Sequence, residues 1–312
     1  MEYKHTTQVV TNVEDTFDWH ERKGAFRRLM PPWEKAEQVG ELSSLENGSR
    51  LTFQIPLGPI KMKWIAEHSG YNPPHAFEDT MISGPFKTWH HVHSFVETED
   101  GACRVEDNVQ YTLPMGVLGR IFGGGSIKRR LKRMFRARQI RLEKDTKRYQ
   151  DFAHMDRKRI LIAGSSGLIG RQLIAFFDTA GHEVWRLVRN DPGKNQIQWK
   201  PSEGQINPKD LEGFDAVIHL GGAGIGDKRW TQKRMKLLED SRTQSTELLA
   251  KTIAQLEKKP EVFIVSSAIG FYGNRGDEEL TEESERGEGF LPEICDAWER
   301  AAQPARDAGI RT

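Results

Sequence analysis

The sequence predicts an α/β doubly wound fold preceded by a separate α+β domain, and three observations carry that prediction. Residues 159–312 alternate β-rich apolar runs with helix-periodic stretches, the pattern of a parallel sheet covered on both faces. Residues 1–112 hold β-type runs in close succession with breakers between them, as antiparallel strands do. One long amphipathic stretch and a short polar linker, residues 151–158, stand between the two. A chain of 312 residues is long enough for two cores, and the division expected is 1–152 and 153–312.

In the first region the expected strands are residues 3–10, 50–55, 60–68, 76–82, 87–96 and 103–113. Pro56-Leu57-Gly58-Pro59, Asn72-Pro73-Pro74 and Gly84-Pro85 separate them, and Leu51, Phe53 and Ile55 alternate as a strand with one dry face does. Residues 13–30 read as short helical pieces closed by Met30-Pro31-Pro32-Trp33. Residues 127–149 read as a long helix with Ile127, Leu131, Met134, Phe135 and Leu142 on one side. A curved antiparallel sheet wrapping one long helix is a helix-grip arrangement around an apolar cavity. With Pro31-Pro32-Trp33 and the strand from Gly84 to His93, residues 3–148 resemble the START-like superfamily that includes polyketide cyclase/dehydrase and lipid-transfer proteins. The resemblance implies a hydrophobic ligand in the N-terminal cavity.

The second region opens on its most specific motif. Gly164, Gly167 and Gly170 follow the apolar run 159–163 and precede Leu168, Leu173, Ile174 and Phe177 at helical spacing. Glycine at these places permits a tight turn, close approach of a pyrophosphate and close packing of helix on strand, and the helix N-terminus offers N–H groups to the anion. Gly181 ends the helix and residues 183–188 form the next strand of a βαβ unit. Residues 215–221 and 261–266 are further strands, with a long helix over 230–256 between them.

Spacing of the type Gly-x-x-Gly-x-x-Gly resembles that of extended short-chain dehydrogenase/reductases, whose fold is a Rossmann fold. Val217-Ile-His-Leu-Gly-Gly-Ala223 resembles their fourth strand, and Ser266-Ser267-Ala268 with Tyr272-Gly273 resembles their fifth strand and its active-site serine. With Arg229-Trp230-Thr231, Ser241-Arg242 and Trp298-Glu299, residues 159–312 are similar to one subgroup, nucleoside-diphosphate-sugar-epimerase-like proteins of unknown substrate, some of them cell-division-inhibitor-like. Some members of that subgroup carry a START-like domain ahead of the dinucleotide fold. The resemblance implies cofactor binding by Gly164, Ser166, Gly167, Leu168, Ile169, Gly170, Arg189, Leu220, Gly221, Gly222 and Ser266, with Ser267 and Tyr272 near the reacting groups.

Charge argues the choice of cofactor. A carboxylate ending the second strand would favour a ribose 2′-OH, whereas an arginine favours a 2′-phosphate, and this strand ends in Arg189. NADP is expected, with NAD as the alternative. Enzymes of this superfamily use a Tyr-x-x-x-Lys pair for proton transfer. None of the five tyrosines here has a lysine four residues on. Cys295 and Glu299 stand at the approximate places of that pair, and Arg242 stands where an asparagine is usual. Two readings follow: an oxidoreductase or epimerase working through other groups, or a non-catalytic NADP(H)-binding regulatory or cell-division-related protein.

Other candidates have plainer readings. Cys295, near a helix start, reads as a small buried residue before it reads as a nucleophile. Glu299 is free to pair with Arg242 or with a surface lysine. His91 and His93 share a strand face beside Asp107; they are expected to line the cavity rather than to hold a metal. The basic set Lys128, Arg129, Arg130, Lys132, Arg133, Arg136, Arg138 and Arg141 reads as a solvated helix face, with peripheral membrane contact through residues 127–148 as a further expectation and nucleic acid not expected. A formal net charge of +1, two distant cysteines and no long apolar run suit a cytoplasmic protein acting on a small-molecule substrate. Ala308-Gly-Ile-Arg-Thr312 reads as a helix stop and the first residues of another strand, as though the second domain were cut short.

Overall fold

Two sheets of different kind organise the chain. The computed structural model describes residues 1–40, 44–57, 60–114 and 116–312. It forms two compact units, Met1–Asp156 with Asp178–Gly181 and Arg157–Phe177 with His182–Thr312. Gly58-Pro59 of the first expected breaker lies outside the described residues.

The first unit runs β1 (Glu2–Val9), α1 (Val13–Glu21), α2 (Ala25–Leu29), a 3-10 turn (Pro32–Glu34), β2 (Glu37–Gln38), β3 (Arg50–Leu57), β4 (Ile60–Asn72), β5 (Ala76–Ser83), β6 (Thr88–Glu97), β7 (Cys103–Thr112) and α3 (Gly116–Asp151). Asn12 caps α1 by accepting from the Asp15 N–H at 2.7 Å, and Glu14 and Asp15 suit the positive end of the helix. The seven strands pair in the order β1-β7-β6-β5-β4-β3-β2, antiparallel throughout. Period-2 alternation sets the inner face: on β6, Trp89, His91, His93 and Phe95 are buried in turn. Trp64, Trp89, Val109 and Tyr111 pack with Leu131 and Phe135 of α3, while Phe17, Phe77, Phe95 and Val105 pack with Leu142.

Helix α3 starts well before residue 127 and passes through Gly123-Gly124-Gly125. Each glycine costs about 1 kcal/mol of helix propensity, but a nucleated helix of 36 residues gains one hydrogen bond per added residue and carries them.

The second unit runs β8 (Arg159–Ala163), α4 (Leu168–Thr179), β9 (Glu183–Val188), β10 (Gln196–Lys200), β11 (Gln205–Ile206), β12 (Ala216–His219), α5 (Gln232–Ala254), β13 (Val262–Val265), α6 (Phe290–Arg300) and α7 (Gln303–Asp307). Its six strands lie in the order β11-β10-β9-β8-β12-β13, parallel except for the β10–β11 pair. Leu161, Leu187, Val217 and Phe263 are covered by Leu249 and Ile253, and Ile160, Ile162 and Ile218 by Leu173, Ile174 and Phe177, so helices cover both faces. The order reverses between β8 and β12, which opens a crevice at the carboxyl ends of those strands.

Two differences from the sequence reading have local causes. Strand β10 was not expected; its signal is the buried pair Ile197 and Trp199 in a polar surround, and it follows β9 through residues 189–195 without a helix. The helix expected to start near Cys295 and to stop at Ala308-Gly309 is not continuous but breaks after Arg300, because Pro304 cannot donate a backbone hydrogen bond and sits instead in the first turn of α7. Arg311 then makes a parallel bridge to Val262. Among the described residues, no helix is long and apolar enough to cross a membrane.

Candidate functional site

In the second unit the site grows from the turn between β8 and α4. Gly164 has φ +79°, and a Cβ placed on it would lie 2.6 Å from the Leu220 backbone carbon. A Cβ on Gly170 would lie 2.4 Å from the Gly164 carbonyl oxygen. No side chain fits at either position, so turn, helix start and the end of β12 close onto one another through backbone alone. Ser166, Gly167, Leu168 and Ile169 are exposed at the helix start, Leu168 by 77% and Ile169 by 61%. The first N–H groups of a helix have no intrahelical partner and are open to an anion at this exposed start. A cradle that any Cβ would fill, at a helix N-terminus beside a strand-order reversal, fits a dinucleotide phosphate.

The opposite wall is the end of β12. The Leu220 N–H donates to the Ala163 carbonyl at 3.0 Å, and the Ser266 N–H donates to the His219 carbonyl at 3.1 Å, so the ends of β8, β12 and β13 are laced together. His219 fixes the following loop. Its Nδ1 accepts from the Gly221 N–H at 3.2 Å, which leaves the proton on Nε2 to bond Ser245 Oγ at 2.9 Å. Ser245 in turn donates to the Ser241 carbonyl at 2.8 Å. Burial pushes the His219 pKa down to about 4, so the ring is neutral. The sequence reading placed Gly221 and Gly222 here but missed His219 and Ser245, which hold them.

Arg189 is exposed immediately after β9, at the carboxyl end of the second strand. Ser267 is exposed after β13, and its hydroxyl donates to Glu299 Oε1 on α6. Tyr272 ends the 3-10 turn Ile269–Tyr272, its ring against Phe271 at 5.4 Å. Glu299 therefore pairs with Ser267 and not with Arg242. The Arg242 guanidinium donates to the carbonyls of Leu238 at 2.9 Å and Ala223 at 3.0 Å and lies 5.2 Å above the Trp298 ring, tying the β12 loop to α5 and α6. Burial raises the pKa of the Cys295 thiol, which argues against a thiolate nucleophile and for the small buried residue.

The first unit holds a cavity of about 410 Å³ walled by Phe53, Trp64, Phe86, Trp89, Leu131 and Met134, among others. Its polar lining includes His91, His93 and Asp79. His91 lies between two carboxylates, Nδ1 at 3.2 Å from Asp79 and Nε2 at 2.9 Å from Asp107. His93 lies between the same two, Nε2 at 3.3 Å from Asp79 and Nδ1 at 3.0 Å from Asp107, with the two rings 3.8 Å apart. Burial alone would lower the His91 pKa, but its bonds to Asp107 and Asp79 outweigh burial and raise it to about 9. Burial would likewise raise both aspartates, and the histidine bonds hold them well below the usual carboxylate range. Asp79, His91 and His93 bring one donor atom each within 4.8 Å of one another, a set able to hold a metal ion.

The sequence reading saw His91, His93 and Asp107 but missed Asp79, and it set Arg138 on the solvated face of the helix where the structure turns it into the cavity lining. Both had a signal. Asp79 follows Phe77 at the strand period, and Arg138 continues the apolar stripe of α3 through Leu131 and Phe135.

Comparison with known proteins agrees with this geometry. The NAD dependent epimerase/dehydratase family matches residues 160–290, and the polyketide cyclase / dehydrase and lipid transport family matches residues 11–135. An epimerase family protein of Mycobacterium bovis is 39% identical over 153 residues, 49% of this chain and 50% of that protein. One of Bacillus subtilis is 33% identical over 159 residues, 49% of this chain and 52% of that protein. The chain thus spans about half the length of the curated relatives it matches. The crystal structure of the nucleoside-diphosphate sugar epimerase from Corynebacterium glutamicum superposes with a TM-score of 0.80 at 34% identity, covering 99% of this chain and 64% of that one. The glycine cradle and the walled cavity therefore belong, respectively, to a domain of the NAD dependent epimerase/dehydratase family and to a polyketide cyclase / dehydrase domain that precedes it in the same chain.

Proposed function

We propose that the chain is an NADP-dependent oxidoreductase or epimerase-like protein whose first unit holds a hydrophobic ligand. The observation that carries the cofactor half is the cradle at Gly164 and Gly170, which backbone atoms close to any Cβ. Ser166, Gly167, Leu168, Ile169, Leu220, Gly221, Gly222 and Ser266 surround it, and Arg189 favours a 2′-phosphate over a 2′-OH.

A bound nicotinamide supplies hydride transfer. The chain's own contribution is at the proton. Ser267 donates to Glu299, so a substrate hydroxyl that donates to Ser267 can pass its proton through that hydroxyl to the carboxylate. Tyr272 stands on the following turn as the second substrate-facing group. The test is NADPH oxidation across a panel of ketones and nucleotide sugars. Glu299→Gln is expected to lower turnover about 10²- to 10⁴-fold and leave NADPH affinity within a few-fold. A variant as active as the parent removes Glu299 from the reaction.

A second reading rests on the same pair. Glu299 stands at the approximate place of the lysine of the Tyr-x-x-x-Lys pair and engages Ser267, which suits a non-catalytic NADP(H)-binding regulator. Tight NADPH binding with no turnover across the whole panel would select it. A cytoplasmic location is part of the proposal, as is peripheral membrane contact through the exposed Lys128, Arg129, Lys132 and Arg136 of α3. Salt-sensitive binding to anionic vesicles tests that contact.

A further inference from the structure

Charge accounting within the cavity leaves one group over. Glu34 is held by Arg130, whose Nε donates to Oε2 at 3.0 Å and to Oε1 at 3.3 Å. Asp79 and Asp107 are matched by His91 and His93, whose four ring nitrogens all face carboxylate oxygens at 2.9–3.3 Å. His20 donates from Nδ1 to the Thr16 carbonyl at 2.8 Å, and burial lowers the pKa of both His20 and His68.

Arg138 remains. It lines the cavity from α3, its Nε is buried with no hydrogen-bond partner, and no carboxylate lies within ion-pair distance of it among the described residues. Asp107, Asp79 and Glu34 act on its charge only from beyond ion-pair distance, and the face of the Phe135 ring lies 5.1 Å from it. A guanidinium is always charged, and burying one unpaired is costly. His68 Nδ1, also buried and without a partner, lines the same cavity.

We propose that this cavity selects an amphipathic molecule with one anionic oxygen group, a carboxylate or an equivalent phenolate or enolate, and that Arg138 recognises that group. The proposal rests on the reading of the first unit as a hydrophobic-ligand carrier and adds the charge of the ligand. The apolar body lies against Trp64, Trp89 and Met134, and the anion takes the guanidinium in the fork geometry that suits carboxylates.

The test uses the full chain and displacement of the neutral dye Nile red by two matched pairs: dodecanoate with dodecanol, and 2-naphthoate with 2-naphthalenemethanol. In each pair that binds, the acid is expected to bind roughly tenfold to a hundredfold tighter than the alcohol at neutral pH. Arg138→Gln abolishes that preference and leaves the alcohol within about threefold, while Arg138→Lys keeps part of it as a point charge without the fork. Thermal melting separates ligand recognition from a structural role: Arg138→Gln without ligand melts at or above the parent, because it removes a half-buried cation whose Nε has no hydrogen-bond partner. A lower melting temperature assigns Arg138 to the fold and overturns the proposal. Equal binding of acid and alcohol, or a preference that survives Arg138→Gln, overturns it while the carrier reading stands. No uptake of the dye or of any probe overturns both.

Discussion

The two sites of this chain are built from opposite materials. In the second unit the site is backbone: a glycine turn, a helix start and three strand ends, with the surrounding side chains exposed. In the first unit it is side chains: two imidazoles between two carboxylates inside a walled cavity, assembled from three neighbouring strands. A backbone site depends on the absence of atoms, so single added methyl groups damage it. A buried ionic site depends on complete pairing, so single lost charges damage it.

The largest effect should come from the ionic site. Asp107→Asn leaves both imidazoles short of a partner, and breaking a buried pair in this way costs about 3–5 kcal/mol. Calorimetry should show that loss in the first unit with NADPH affinity unchanged. A change below about 1 kcal/mol would mean the cluster contributes little to stability. Next comes Gly164→Ala, which forces a side chain into a positive-φ position costing about 1–3 kcal/mol and against the Leu220 backbone. It should weaken NADPH at least about tenfold and spare ligand binding in the first unit. Parental affinity for NADPH would show that the turn does not hold the cofactor.

pH sharpens the contrast. His91, raised to about 9 from the ~6.5 of an unfolded chain, contributes stability that is complete below about 6.5 and is lost as pH rises through 9. His20 and His219, lowered to about 4, contribute stability that is complete above about 6.5 and is lost as pH falls toward 4. Melting between pH 6.5 and 9 should therefore weaken the first unit and leave the second level, and His91→Gln should flatten that limb. An alkaline decline of the second unit alone would contradict it. The smallest effect expected is at Arg189: Arg189→Ala should cost NADPH about tenfold and NADH about twofold or less, since one charge-assisted contact is lost. Equal losses for both would move Arg189 off the 2′-phosphate.

Much of this was legible from residues near one another in the chain. Gly164, Gly167 and Gly170 fall within one turn, so their spacing alone reports how closely strand and helix must approach. Residues 159–163 and 183–188 read as strands because both faces of a parallel sheet are covered, while the alternation of Leu51, Phe53 and Ile55 on β3 reads as antiparallel because only one face is. Strand β10 was illegible because two apolar residues in a polar run are too few to stand out. The α6–α7 break was marked by Pro304, which a periodicity count passes over.

What the sequence determined by itself was local: the cradle, the order of helices and strands, and the apolar stripe of α3, each set by residues within a turn or two. What only the tertiary structure decided was partnership across distance. Ser267 meets Glu299, 32 residues on, and His219 meets Ser245, 26 residues on. Asp79, His91, His93 and Asp107 meet because the register of β5, β6 and β7 sets His91 opposite Asp79 and His93 opposite Asp107. Arg138 is left unpaired for the complementary reason: α3 places it in the cavity, and the register has already given the nearby carboxylates to the histidines. Hydrogen bonds and ion pairs act over a few ångströms in space, and chain proximity does not encode that distance once strands and helices have packed.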